Sequence, residues 1–366
     1  MKICHIVNTL SGGGAENHLL DLCKLQTADD INVSIIVLGP DLKNFKSLEN
    51  DFKKLGINIY RLQLPRLFNP VSIYNFFRIL NQTNFKTVHS HQPRSDVMVY
   101  VYRLFRKHTF RWIVSIHGKY DTYLEKNKFL DYLKKASMPL LRFVWSKCDY
   151  IICISEEVKS WLVQPKSFKN VKVINYWLND VNLNQINSYD GVLKVGFLGR
   201  INQNKGIEDL LKVLTTTKNL EFELFIGGVG DENYISQLKK KFNTEQKQNI
   251  KFLGYIDNKT SFFKELNLFV FPSYSEGLGL VLLESMGSST ITLARNEPPM
   301  NSIINTNVGY LFDDSDDLKK EILNISYAYQ NDLNIINQKL KKQYELLKTN
   351  YNSCVLYKEI LKVYEH

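Results

Sequence analysis

Short apolar runs of strand length alternate with amphipathic stretches along almost the whole chain, and this alternation excludes all-helical and all-strand architectures. In the first half the runs Lys2–Asn8, Asn32–Leu38, Asn58–Leu62, Thr87–His91, Trp112–His117, Tyr150–Ser155 and Val171–Asn175 read as strands. Helical patterns such as Ala15–Gln26, Val71–Asn81 and Glu156–Val163 lie between them. Strand-helix alternation with short connections predicts a parallel sheet covered on both faces. A polar segment without periodicity, Asn179–Asp190, then reads as a hinge, and the pattern restarts. Strands are predicted at Lys194–Gly199, Glu221–Gly227, Ile250–Leu253, Leu268–Phe271 and Thr290–Ala294, with helices at Gly206–Thr215, Tyr234–Phe242 and Leu278–Met286. From Ser315 onward the spacing of Leu, Ile and Tyr is helical. The expectation is two doubly wound α/β domains, 1–180 and 191–345, with a helical tail at 346–366. In such sheets ligands bind beyond the carboxyl ends of the strands.

Composition agrees. A length of 366 residues suits two domains at roughly 150 each. Hydrophobic residues at 44% and charged residues at 23% exclude disorder and fibrous repeats. No run approaches the roughly 18 apolar residues of a membrane span, and the first residues read as a strand rather than a signal peptide. The five cysteines form no CxxC pair, which predicts a reducing, cytoplasmic setting without a disulfide framework or zinc cage. The net charge of +10 is uneven: residues 1–180 hold 26 basic and 15 acidic side chains, and residues 86–147 hold 13 against 4. One half of the molecule is therefore expected to face something anionic.

Three loops carry candidate chemistry. Ser11-Gly12-Gly13-Gly14-Ala15-Glu16 follows the first strand and opens a helix, so its backbone can approach a ligand closely or simply make a tight turn. Its spacing is not GxGxxG, which argues against a nicotinamide cofactor. Gly199-Arg200-Ile201-Asn202-Gln203-Asn204-Lys205-Gly206 occupies the same position in the second half, where Arg200 and Lys205 suit a diphosphate or are two solvated cations. In Phe271–Glu284 a strand ends in Pro272-Ser273, Glu276 follows, and Glu284 falls about two turns into an apolar helix beside Leu282, Leu283 and Met286. An acid in that setting is costly unless paired, and a carboxylate can accept two hydroxyl hydrogen bonds from a ribose or sugar. His89 and His91 share a strand face but have no accompanying Cys or carboxylate at ligand spacing, so no metal is expected.

Taken in order, these residues resemble the family 4 (group 1) retaining glycosyltransferases. Glu276 and Glu284 match that family's E-x7-E signature, the Arg200…Lys205-Gly206 loop its donor-phosphate motif, and Gly12–Gly14 its first-domain glycine turn. Val88-His89-Ser90-His91, Ser115-Ile116-His117-Gly118 and Asp149–Glu156 match further motifs, so the resemblance runs from residue 1 to about 310. It implies the GT-B fold, two Rossmann-like domains facing each other across a cleft, with the last helix packing back on the first domain. It implies that Glu284 holds the donor ribose and Glu276 the transferred sugar. Backbone at Gly277, Leu278, Gly279 and Leu280 then meets the sugar and diphosphate, and Gly13 and Gly14 meet the phosphates. By the same resemblance Arg200 and Lys205 stabilise the leaving diphosphate without a metal or cofactor. Tyr255 and Ile256 edge the base, and His117 faces the donor sugar. The implied reaction moves a hexose or N-acetylhexosamine from a nucleotide-diphosphate sugar, UDP by family usage, to a lipid-linked or oligosaccharide acceptor in bacterial surface polysaccharide assembly. A nucleotide-sugar epimerase or hydrolase and an inactive binding protein are the rival readings. The sequence departs from the family at Asn175-Tyr176-Trp177-Leu178-Asn179 and at Asn296-Glu297-Pro298-Pro299-Met300.

Residues 97–147 interleave cations (Arg103, Arg106, Lys107, Arg111, Lys126, Lys128, Lys134, Lys135, Arg142, Lys147) with aromatics. This suits peripheral docking on the anionic inner face of the plasma membrane, or else a solvated helix face over an ordinary core. No motif supports nucleic-acid binding.

Overall fold

The computed structural model describes residues 1–42, 46–63, 70–106, 110–121, 128–163, 168–179, 181, 188–242 and 249–365; side chains 128–131 and 134 are outside this description. The chain divides into two compact units, Met1–Trp177 with Ser353–His366, and Leu178–Asn352.

The first unit is built on β1 (Lys2–Val7), β2 (Asn32–Val37), β3 (Asn58–Arg61), β4 (Thr87–Ser90), β5 (Arg111–Ile116), β6 (Tyr150–Cys153) and β7 (Val171–Val173). These pair in the order β3-β2-β1-β4-β5-β6-β7, and every pairing is parallel. Helices α1 (Gly14–Ala28), α2 (Glu49–Lys54), α3 (Pro70–Thr83), α4 (Pro93–Phe105), α5 (Lys128–Trp145) and α6 (Glu156–Val163) connect them. The inner strands β1, β2, β5 and β6 are largely apolar because both faces are covered, as the buried run from Ile3 to Val7 shows, whereas β4, Thr87-Val88-His89-Ser90, is buried and mostly polar.

The second unit pairs β8 (Leu193–Leu198), β9 (Phe222–Gly227), β10 (Ile250–Gly254), β11 (Leu268–Phe271), β12 (Ile291–Arg295) and β13 (Tyr310–Phe312) in the order β10-β9-β8-β11-β12-β13, again all parallel. Its helices are α7 (Ile207–Thr216), α8 (Glu232–Lys241), α9 (Lys259–Lys264), α10 (Leu280–Gly287), α11 (Met300–Ile303), α12 (Ser315–Asn331) and α13 (Leu333–Asn350). Ile336 and Leu340 of α13 join the core formed by β8, β9 and α7. After Asn352 the chain re-enters the first unit, where α14 (Ser353–Glu365) inserts Tyr357, Ile360, Val363 and Tyr364 into the core with β1, β2 and α1.

Both sheets start at a central strand, wind outward to one edge, return, and wind to the other. The winding reverses between β1 and β4 in the first unit and between β8 and β11 in the second, and ligands of open α/β sheets collect at such reversals. Among the described residues no helix is long and apolar enough to cross a membrane.

Candidate active site

At the second unit's reversal two loops leave adjacent strands and are fastened together. From β8 the chain runs through Gly199–Ile201 to a single tight turn, Gln203–Lys205, and Gly206, whose φ of 64° favours glycine. A Cβ there would lie 2.1 Å from the Pro272 carbonyl oxygen, so Gly206 is what lets this turn lie against the segment that follows β11. The Tyr274 amide donates to the Asn204 carbonyl at 3.0 Å across the same junction. Behind both loops Arg295, at the end of β12, donates to the Pro272 carbonyl at 3.1 Å and to Asp209 at 2.5 Å, and its guanidinium lies 4.1 Å from the Tyr274 ring. The Tyr274 hydroxyl donates to the same Asp209 carboxylate at 2.6 Å.

This frame holds both predicted glutamates. Glu276 is ion-paired with Lys205, both largely buried. Glu284, on α10, accepts from Lys259 Nζ at 2.7 and 3.0 Å through its two oxygens. Gly279 caps α10 with a φ of 88°. Gly277 and Leu278 are buried and Arg200 is exposed. Ser273 Oγ and Asn202 Oδ1, in the same two loops, are buried without a hydrogen-bond partner, and buried polar atoms of that kind call for an explanation.

A further glycine turn completes the rim. Gly228-Val229-Gly230 follows Gly227, the last residue of β9, with the Ile201 amide donating to the Val229 carbonyl at 2.9 Å. Gly228 has a φ of 127°, and a Cβ on it would meet the Gly199 carbonyl at 1.8 Å. Its amide donates to the Gly254 carbonyl at 2.6 Å, which brings Tyr255 and Ile256 against the turn. Sequence reasoning passed over this turn, Lys259, Asp209 and Arg295. The glycine cluster after a strand was the available signal for the first, whereas the ion-pairing residues look like ordinary surface charges until the chain is folded.

At the first unit's reversal, Gly13 caps α1 in extended conformation, and the Gly12 amide donates to the Lys46 carbonyl at 2.8 Å. A Cβ on Gly13 would lie 2.6 Å from the Glu16 carboxylate, the far end of a flexible side chain, and one on Gly14 would meet nothing. Beside this loop the five histidines of the described residues, His5, His18, His89, His91 and His117, gather under the carboxyl ends of β1, β4 and β5. His5 Nδ1 lies 3.0 Å from His91 Nε2, and His91 Nδ1 lies 3.2 Å from His117 Nε2. His117 Nδ1 is 2.5 Å from the Tyr176 hydroxyl, His5 Nε2 3.0 Å from Gln26 Oε1, and His89 bridges Tyr364 and Ser115 at 2.8 Å each. The Tyr176 ring stacks on His18 at 4.2 Å.

Burial holds all five rings neutral. It lowers His5 and His117 to about 4 and His18 to about 3, and it takes His89 and His91 well below the ordinary range with help from neighbouring histidines. His5, His89 and His91 bring ring nitrogens within 4.8 Å of one another, the spacing of a metal-binding trio. All six of their nitrogens already have side-chain partners. His117, the predicted sugar-facing residue, likewise has both nitrogens engaged within its own unit.

The basic stretch resolves into two kinds of residue. Trp112, Trp145, Phe110 and Tyr102 are core, and Arg103 and Arg142 lie over Trp112 and Trp161. Tyr132, Leu133, Leu140 and Phe143 of α5 and Leu104 and Phe105 of α4 are exposed. Lys107, Tyr123 and Lys126, together with the side chains of Lys128, Phe129 and Lys134, lie outside the described residues. A cavity of about 760 Å³ opens at the amino ends of β5 and β6, lined by Arg103, Arg111, Asp149 and Lys169.

Comparison with known proteins accounts for nearly all of the chain. Residues 12–178 match the family described as Glycosyltransferase Family 4, and residues 179–342 match Glycosyl transferases group 1. A capsular polysaccharide biosynthesis glycosyltransferase, CapH of Staphylococcus aureus, is 23% identical over 81% of this chain and 81% of its own length. A Campylobacter jejuni alpha-1,4-N-acetyl-D-galactosaminyltransferase, named for a diNAcBac-PP-undecaprenol-linked glycan, is 26% identical over 78% of this chain and 77% of its own. Among solved structures, Anabaena HepE in complex with UDP and glucose superposes with a TM-score of 0.80 at 14% identity, covering 99% of each chain. The fold is therefore that of the GT-B glycosyltransferases. With both halves matched in order, the chain belongs to the group 1, family 4 glycosyltransferases and is an enzyme of that class.

Proposed function

We propose that this glycosyltransferase moves a hexose or N-acetylhexosamine from a nucleotide-diphosphate sugar, UDP foremost, to a lipid-linked or oligosaccharide acceptor in bacterial surface polysaccharide assembly. The observation that carries the reading is the pair Glu276 and Glu284, each sheltered beyond the carboxyl end of β11 and each neutralised by a lysine from a neighbouring element. The capsule and undecaprenol-linked glycan named for two relatives, and the UDP named for a structural neighbour, support the choice of donor and acceptor.

In this reading Glu284 accepts hydrogen bonds from the ribose hydroxyls, exchanging one contact with Lys259 for them. Glu276 accepts from hydroxyls of the transferred sugar, and Lys205 turns from Glu276 toward the diphosphate. Arg200 joins it, and their charge stabilises the diphosphate as it leaves, so that no metal is invoked. The amides of Gly277, Leu278, Gly279 and Leu280 meet the sugar and diphosphate, Gly13 and Gly14 meet the phosphates, and Tyr255 and Ile256 edge the base. Asn202 Oδ1 and Ser273 Oγ gain partners from the bound donor. His117 lines the donor-sugar position. The acceptor hydroxyl attacks the anomeric carbon on the face the diphosphate leaves, its proton passes to a leaving phosphate oxygen, and configuration is retained.

The enzyme docks on the anionic cytoplasmic leaflet through α5. Tyr132, Leu140 and Phe143 fall at i, i+8 and i+11 on that helix and are 68%, 61% and 43% exposed, opposite the buried Met138 and Trp145.

A thermal-shift series of the purified protein with UDP, GDP, CMP and their sugar conjugates tests the donor assignment. A ligand at about 100 times its Kd stabilises the native state by ~2.7 kcal/mol. A selective shift with one nucleotide supports the pocket, and no shift with any of them removes the ribose and phosphate roles together.

A further inference from the structure

The buried histidines are joined end to end, and one amide determines which way their hydrogen bonds run. Gln26, fully buried on α1, donates from Nε2 to the Tyr364 hydroxyl at 3.3 Å, so its Oε1 faces His5 Nε2 at 3.0 Å and accepts. His5 therefore carries its proton on Nε2 and accepts on Nδ1, which requires His91 to donate from Nε2. His91 then accepts on Nδ1 from His117 Nε2, and His117 accepts on Nδ1 from the Tyr176 hydroxyl. In the other direction, Tyr364 accepts from Gln26 and so donates to His89 Nδ1, and His89 donates from Nε2 to Ser115. Each ring is a neutral imidazole with one donor and one acceptor, and each sits where its neighbours need that arrangement. Turning the Gln26 amide over would reverse the whole line, since no ring can change tautomer alone without leaving two donors or two acceptors face to face.

We propose that Gln26 is a positioning residue of this glycosyltransferase: through His5 and His91 it fixes His117 as the Nε2–H tautomer, with Nδ1 committed to Tyr176. Burial of the rings supports this, since a charged imidazole with two donors would break the line. Two hydroxyls close the ends of the line: Tyr176 follows the last strand of the first unit, and Tyr364 comes from a helix 275 residues along the chain from His89. The line deepens the assignment of His117 to the donor-sugar position and depends on it only for its kinetic consequence.

The test is nitrogen NMR of the protein labelled at its histidine rings, at neutral pH, for wild type and Gln26→Leu. The wild type is expected to show His5, His91 and His117 each with one bare nitrogen, Nδ1, and one protonated nitrogen, Nε2. Gln26→Leu keeps the volume in the core but removes the acceptor of the His5 Nε2–H. His91 and His117 should then shift with His5 toward a mixture of tautomers, although of the three only His5 bonds to residue 26. A proton on Nδ1 of any of the three in wild type, a doubly protonated ring, or an unchanged His117 in the variant overturns the inference. The wild-type spectrum decides the tautomers even if the variant does not fold. Turnover of the same variant separates the two layers: shifted tautomers with lower kcat support the positioning role, while shifted tautomers with unchanged kcat remove His117 from the donor site and leave the hydrogen-bonded line standing.

Discussion

Glu284 is the residue on which most of the nucleotide assignment rests, and its environment sets the size of the expected effect. Glu284→Ala deletes two charge-assisted acceptors, each worth about 1.5–3 kcal/mol, so nucleotide affinity by calorimetry should fall about tenfold or more. Wild-type affinity in that variant would remove Glu284 from the ribose position. Gly206→Ala acts by another route. The new Cβ meets the Pro272 carbonyl at 2.1 Å in a left-handed backbone, so stability in a urea titration should drop by more than about 1 kcal/mol. The sequence places Glu276, Arg200, Lys205 and Gly206 in loops that follow strands and Glu284 inside the helix after one of them, and the structure has them at those positions. Lys259 was not legible there: its ion pair with Glu284 spans 25 positions and belongs to the packing of α9 on α10.

Among elements, the two loops of the second unit are braced together because Arg295 is tied to the Pro272 carbonyl in one and to Asp209 on α7, the helix into which the other runs. Replacing it by Met leaves the Pro272 carbonyl without that donor and Asp209 without its cation. Asp209 is about a quarter exposed, so we expect a loss of about 2 kcal/mol by chemical denaturation, below the cost of a fully buried pair. In the first unit α5 presents the exposed apolar stripe. Leu140→Glu with Phe143→Glu should abolish sedimentation with anionic vesicles and leave nucleotide-induced thermal shifts unchanged; undiminished sedimentation would mean that α5 is not the docking face. The sequence showed that cations and aromatics interleave between residues 97 and 147 but not which aromatics face outward. Trp112 and Tyr132 are alike in composition, yet one sits in a central strand and the other on a helix surface, and only the covering of the sheet separates them. Most strand positions were legible for the opposite reason: a strand buried on both faces tends to be an apolar run, as in β1, β2, β5 and β6, while buried β4 carries Thr87, His89 and Ser90.

At the scale of the molecule, the histidine cluster links stability to pH. In the unfolded chain each histidine binds a proton near pH 6.5, whereas His5 and His117 bind theirs only near 4 and His18 near 3 when folded. Between these values the unfolded state holds more protons, so stability is lost as pH falls from about 6.5, at up to about 1.4 kcal/mol per pH unit for each ring. Buried Asp96, raised to about 7, works in the opposite sense between its ordinary value and 7 but is a single group. The melting temperature should therefore fall steeply between pH 6.5 and 5, and a flat profile there would contradict the burial of the cluster. His89, His91 and His117 could be picked out from strand ends in the sequence; His5, Gln26 and Tyr364 could not, because contacts of such long range leave no local pattern. The return of α14 to the first unit has a consequence for how the protein is made. The first 177 residues leave the ribosome lacking Tyr357, Ile360, Val363 and Tyr364, and the second unit is translated in between. At roughly 5–20 residues per second that interval is on the order of ten to thirty seconds. During it the amino-terminal sheet has an open apolar seam and an unanchored Gln26, so the nascent chain at this stage is a natural client for a chaperone, while the later-made second unit can close first.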